Sequence, residues 1–203
     1  MEKLNDIIIS DLKSGITHGV TVSNLTYLIA KEMKLDEDMC YELAIAGLLH
    51  DIGKLKLAPY LYGRDENSLA VEEMKYMRMH SKISYDILQH YDLTYFTLET
   101  ILHHHENYDG SGYPENLSGE DIPIGARILN VADTFAALIS DRPYRKAFTA
   151  ELAVQTMIEE VKNFDMEAFL AFQRVIHEEK TSEIIKNSLH ILDGFDFIID
   201  KDI

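Results

Sequence analysis

Nine histidines and 35 carboxylates occur in a chain of 203 residues, and several stand where only chemistry explains them. His18 shares a stripe with Val22, Leu25 and Ile29, at steps of four, three and four. His50 closes a similar stripe after Met39, Leu43 and Ala46. His80 leads to Ile83 and Ile87, Asp133 lies between Leu129 and Ala136, and His105 follows Leu98, Ile101 and Leu102. At helical spacing each of these polar residues faces a core. An unpaired buried polar group costs on the order of 2–7 kcal/mol. A single such histidine is readily satisfied by a carbonyl or a buried water. Five inward positions, together with the doublets His50-Asp51 and His104-His105, are better solved at once by cations, which partner carboxylates and imidazole lone pairs alike.

The candidate ligands are His18, His50, Asp51, His80, His104, His105 and Asp133. They exceed what one tetrahedral or octahedral ion takes with a position left open, and they suit two ions about 3.5–4 Å apart sharing a carboxylate. Asp51 is the best bridge, because it sits at a helix end beside a ligand and before Gly53. Imidazole and carboxylate without thiolate favour iron, manganese or zinc over calcium or magnesium. A hydroxide between two such ions is a nucleophile at neutral pH.

The elements that must position these residues read as helices. Apolar residues recur at three- and four-residue spacing in 16–34, 37–50, 69–91, 95–105, 124–140, 149–161 and 166–177. Asp36 is an expected N-cap, Gly53 an expected helix stop, and Pro123 suits a first helical turn. Long loops are expected at 53–68 and 106–122, and Phe195–Ile199 reads as a short strand or tail. The expected class is all-α, with segments 1–15 (an N-terminal helix or extension), 16–177 (catalytic domain) and 178–203 (a tail that packs or dimerises).

Composition narrows the function further. The chain is 46% hydrophobic and 27% charged, enough apolar material for a core, and its net charge of −16 repels nucleic-acid polymers. A phosphate-bearing ligand must therefore be held by something locally positive. No apolar run approaches the roughly 18 residues that span a bilayer, and Met1–Asp6 has no basic stretch followed by a long apolar one, so a secretory signal is not expected. The single cysteine, Cys40, excludes an intramolecular disulfide and a cysteine-based zinc cluster, and points to a cytoplasmic location.

Four segments carry a family resemblance. Leu48-Leu49-His50-Asp51-Ile52-Gly53-Lys54 resembles the signature of the HD superfamily of metal-dependent phosphohydrolases. The stretch from His104-His105-Glu106 to Gly110-Ser111-Gly112-Tyr113-Pro114 resembles the second signature of its HD-GYP subfamily. Ile122–Asp133 and Asp141–Ala147 extend the match in the same order. The resemblance implies a single HD-type helical bundle around a di-iron or di-manganese centre, hydrolysing cyclic di-GMP to linear pGpG, with GMP as a further product. One metal would take His18, His50 and Asp133, and the other His80, His104 and His105, with Asp51 bridging. Asp51 and Lys54 would be catalytic. Lys54, Tyr113, Arg142 and Arg145 would contact substrate. Ser14 stands where some members carry an acidic residue for a third metal, so two metals are expected.

Other features carry two readings each. Arg142, Arg145 and Lys146 suit either a helix-end cluster or bidentate recognition of phosphate. Tyr108 and Tyr113 either pack or stack on guanine. Glu106 and Asp109 either assist proton transfer or brace their loop, and His103 is a neighbour of the ligand pair. Hydrolysis of another cyclic dinucleotide or nucleotide phosphoester, and a low-turnover binding module, are the alternatives to the leading function. A homodimer and a signalling-protein partner both stay open.

Overall fold

The computed structural model describes residues 2–61, 77–141 and 145–193, and the regular elements among them are helical, as the spacing predicts. They are α1 (Glu2–Glu32), α2 (Glu37–Leu49), α3 (Gly53–Leu61), α4 (His80–Leu88), α5 (Tyr95–His103), α6 (Ile124–Leu138), α7 (Ala150–Glu159), α8 (Met166–Ile176) and α9 (Glu179–Leu189), with short 3-10 turns at Gly119–Asp121 and Val161–Asn163. No helix among the described residues is long and apolar enough to cross a membrane.

Local chemistry sets the helix ends. Asp36 accepts a bond from the Met39 N–H at 2.9 Å, the expected N-cap, and Thr94 and Asp165 do the same for α5 and α8. At the end of α1, Lys34 adopts a left-handed φ of 62° and the Leu35 N–H reaches the Ala30 carbonyl, satisfying an orphan acceptor of the last turn.

α1 is the axis of the bundle and packs on α2, α6, α8 and α9. Val22, Leu25 and Ile29 of α1 meet Leu43, Ile101, Leu129, Phe135 and Phe172 in one core, all fully buried. Full burial of such side chains is worth about 1.5–3 kcal/mol each. The α1–α2 contact is close because Gly47 has no side chain: a Cβ there would lie 2.9 Å from the Ser23 backbone. This approach, one turn before His50, brings the His50 end of α2 against the His18 turn of α1.

Two expectations change, the loop at 53–68 and the helix stop at Gly53, and both terminal segments take definite form among the described residues. The N-terminal segment is helical and continuous with the 16–34 stretch: α1 begins at Glu2 and runs unbroken through Gly15, because one glycine inside a helix costs only about 1 kcal/mol. The loop expected at 53–68 is helical from Gly53 to Leu61. Gly53 is not a helix stop. A Cβ at Gly53 would lie 2.3 Å from the His80 carbonyl oxygen and 2.7 Å from the Ser84 nitrogen, so this glycine lets α3 touch α4. Finally, residues 179–189 form α9, which packs on α1 and α8 and is tied to α1 by Asn24 Nδ2 donating to Ser188 Oγ at 2.9 Å. Phe195–Ile199 and most of the 69–79 stretch lie outside the described residues.

Candidate metal centre

Five elements deliver the seven candidate residues to one place. His18 comes from α1, His50 and Asp51 from the turn that ends α2, and His80 opens α4. His104 and His105 follow α5, and Asp133 lies on α6. Two triads form, His18–His50–Asp133 and His80–His104–His105, each with ligand atoms within 4.8 Å of one another. Asp51 stands between them. Its Oδ1 lies 3.2 Å from His80 Nε2, while its Oδ2 lies 3.4 Å from His50 Nε2 and 3.8 Å from His18 Nε2.

The backbone sets which ring atoms face inward. Nδ1 of His50 donates to the Gly47 carbonyl at 2.8 Å, Nδ1 of His104 to Ile101 at 2.7 Å, and Nδ1 of His80 to Met77. These bonds put a proton on Nδ1 and aim the Nε2 atoms at the centre. There the lone pairs crowd: His80 Nε2 is 3.3 Å from His104 Nε2 and 3.0 Å from His105 Nε2. His50 Nε2 and Asp51 Oδ1 are buried with no hydrogen-bond partner. Electron pairs packed this way repel one another unless a cation lies among them, so the donor set fits divalent metal ions of the kind imidazole and carboxylate prefer.

The protonation pattern divides along the same lines. Burial alone lowers His50, but Asp51 and Asp133 beside it win and push it up to about 10. Burial holds His80 and His104 below the usual histidine value and His105 down at about 3. Burial works against both carboxylates, yet His50 and Lys54 hold Asp51, and His18 and His50 hold Asp133, well below the usual carboxylate range. One triad thus carries a proton where a cation would sit, and the other keeps open lone pairs.

Lys54, the second residue of α3, donates to Asp51 Oδ2 at 2.6 Å. Tyr113 stacks on His105 with ring centroids 4.8 Å apart, and burial and the two carboxylates raise its phenol so that it stays neutral. The Gly-Tyr-Pro turn is pinned from beneath. The Tyr113 N–H reaches the His105 carbonyl at 3.0 Å, and a Cβ at Gly112 would lie 2.2 Å from the Asn107 nitrogen. Glu106, 1% exposed, accepts from the Glu115 N–H, and Asp109 accepts from the Ser111 N–H and hydroxyl. Both acids thus brace the loop. His103 is buried between Glu99 and Glu106, at 3.5 and 3.8 Å, alongside the candidate set.

Of the two readings open for Arg145, the helix-end one has the contacts. Its guanidinium donates to the Leu138 and Ala137 carbonyls, both at 2.9 Å, and lies over the Phe148 ring. Arg142 lies outside the described residues. Sequence reasoning passed over three supports. Ser84 accepts from the Gly53 N–H and donates to the His50 carbonyl, and Asn130 Nδ2 donates to the carbonyls of His104 and Glu106. Arg78 lies over Tyr113. Ser84 and Asn130 sit on the ligand-bearing faces, four residues after His80 and three before Asp133, and that periodicity is the signal that finds them.

Residues 2–168 match the HD domain family. The chain belongs to that family. Within it, this HD domain falls in the HD-GYP subfamily. It is 38% identical over 135 residues to the cyclic di-GMP phosphodiesterase response regulator RpfG of Xanthomonas campestris, covering 66% of this chain and 35% of that protein. It is 34% identical over 174 residues to the 3'3'-cGAMP-specific phosphodiesterase 3 of Vibrio cholerae, covering 83% of this chain and 37% of that one. The HD domain thus spans little more than a third of either relative. Among solved structures, Bd1817, an HD-GYP-type protein of Bdellovibrio bacteriovorus, shares the fold with a TM-score of 0.65 at 21% identity, over 82% of this chain and 53% of that one.

Proposed function

We propose that this HD domain is a metal-dependent phosphodiesterase that opens cyclic di-GMP to linear pGpG. The observation that carries the reading is the division of Asp51, with one oxygen toward each triad. That arrangement supports His18, His50 and Asp133 holding one divalent ion, His80, His104 and His105 a second, and Asp51 joining them. Two such ions, iron or manganese, would supply a nucleophile at neutral pH and offset the charge that builds on phosphoryl oxygens.

The chain's own residues do the rest. Lys54 holds a positive charge at Asp51 Oδ2, where a reacting phosphate would meet the centre. Tyr113 walls the His105 side and keeps its hydroxyl proton for donation. The backbone bonds to His50, His80 and His104 hold the rings before substrate arrives, so little reorganisation is needed. A cytoplasmic setting is consistent with the single buried thiol, Cys40.

A second reading keeps the site and changes the substrate to a hybrid cyclic dinucleotide, as the name of the Vibrio cholerae relative suggests. One experiment separates the two. Protein purified without oxygen and loaded with iron or manganese is incubated with cyclic di-GMP, cyclic GMP-AMP and cyclic di-AMP, and products are separated by chromatography. Accumulating pGpG from cyclic di-GMP supports the proposal, and GMP would mark a second cut. Faster turnover of another ring moves the assignment to that substrate. Binding without any product would make the domain a receptor.

A further inference from the structure

We infer that Arg78 is a substrate-binding residue of this site, its guanidinium taking the phosphate of the cyclic dinucleotide that is not being cleaved. This rests on the phosphodiester reading above. The chain has a net charge of −16, so a guanidinium near the surface has many carboxylates to choose from. Three of the described arginines are engaged: Arg127 with Asp165, Arg174 with Glu32, and Arg145 with helix-end carbonyls. Arg78 has no carboxylate partner among the described residues. Among the described residues, the interaction it makes is with the Tyr113 ring, 5.6 Å from guanidinium carbon to ring centroid.

That contact connects it to the centre. Tyr113 stacks on His105, whose Nε2 lies 3.0 Å from that of His80, and Arg78 is two residues before His80. A guanidinium resting on an aromatic ring keeps its planar fork of N–H donors free and oriented, the geometry that grips a phosphate with two parallel bonds. Lys54 already supplies positive charge at Asp51, within the candidate cluster. Arg78 lies against the outer aromatic wall instead. A ligand with two phosphodiesters can use both cations, one phosphate at the metals and the other at Arg78, whereas a single phosphodiester reaches only the first.

The test compares metal-loaded wild type with Arg78→Ala and Arg78→Lys, on cyclic di-GMP and on bis(p-nitrophenyl) phosphate, with metal content measured for each. Loss of a charge-assisted bidentate contact should raise the KM for cyclic di-GMP about 10- to 100-fold with kcat changed less than about twofold. Arg78→Lys should recover part of the loss, and the small diester and metal content should be unaffected. An unchanged KM, an equal slowing of both substrates, or a loss of metal overturns the inference. If wild type hydrolyses no cyclic dinucleotide, the phosphodiesterase reading fails by itself. Calorimetric titration of the same proteins with cyclic di-GMP then decides on Arg78: weaker binding by Arg78→Ala upholds its role, while equal binding, or none by either protein, overturns it.

Discussion

Replacing Asp51 with asparagine keeps the shape of the side chain and removes one negative charge from the middle of the candidate centre. The carboxylate faces His80 through one oxygen at 3.2 Å and His50 and His18 through the other at 3.4 and 3.8 Å, and it pairs with Lys54 at 2.6 Å. No other residue joins the two triads in this way among the described residues. Removing a group that only orients a metal ligand weakens binding about 10- to 100-fold. Asp51 is proposed as a direct ligand to both ions, so each ion should lose at least the upper end of that range, about 100-fold or about 2.7 kcal/mol. The assay is elemental analysis after anaerobic loading and exhaustive dialysis, alongside the pGpG assay and a thermal melt to verify folding. Wild type should keep two ions per chain. Asp51→Asn should keep at most one and lose activity at least about 100-fold with a folded melt. Two ions retained at wild-type affinity would refute the bridge, and with it the view that a shared carboxylate explains the seven-residue cluster.

Two further outcomes are expected. His50 stands at about 10 without metal, so it is protonated at pH 7 and must be neutral to ligate. Loading should therefore release about one proton from it, and metal affinity should rise about tenfold per pH unit near neutrality and fall as pH drops. Calorimetry in two buffers of different ionisation enthalpy measures that release, and identical heats would contradict it. Arg145→Ala should lower stability by about 1–3 kcal/mol through lost carbonyl bonds and the stack on Phe148, while changing the KM for cyclic di-GMP less than about twofold. A large rise in KM with an unchanged melting temperature would return Arg145 to the substrate site.

Much of the centre was legible beforehand because its signals are local. A histidine that continues an apolar stripe at three- and four-residue steps faces the core of its helix, and His18 (with Val22), His50 (with Ala46), His80 (with Ile83) and His105 (with Ile101 and Leu102) all bear that mark. The long Gly-Tyr-Pro segment is equally local, and its ordering after the His-Asp doublet added specificity. The boundaries were less legible. Nothing in 1–15 distinguishes a separate extension from the first turns of α1, and Gly53 carries the same letter whether it stops a helix or lets two helices touch. The acids Glu106 and Asp109 were ambiguous for a related reason: a carboxylate that braces a loop and one that moves a proton look alike until its donors are known.

Residue types and helical period by themselves pointed to the all-α class and to the seven candidate donors, and led to the expectation of two shared ions, since these readings follow from properties of neighbouring residues. The family resemblance implied how the donors divide, and tertiary structure decides the contacts that bring each group together. His18 and Asp133 meet at 2.9 Å across 115 positions of chain, and only the packing of α1 against α2 and α6 brings them together. The same packing turned one oxygen of Asp51 toward each triad, spent Arg145 on helix carbonyls and left Arg78 on Tyr113. The physical reason is that a guanidinium or a carboxylate acts on whatever lies within a few ångströms of it, and the fold rather than chain order sets that company.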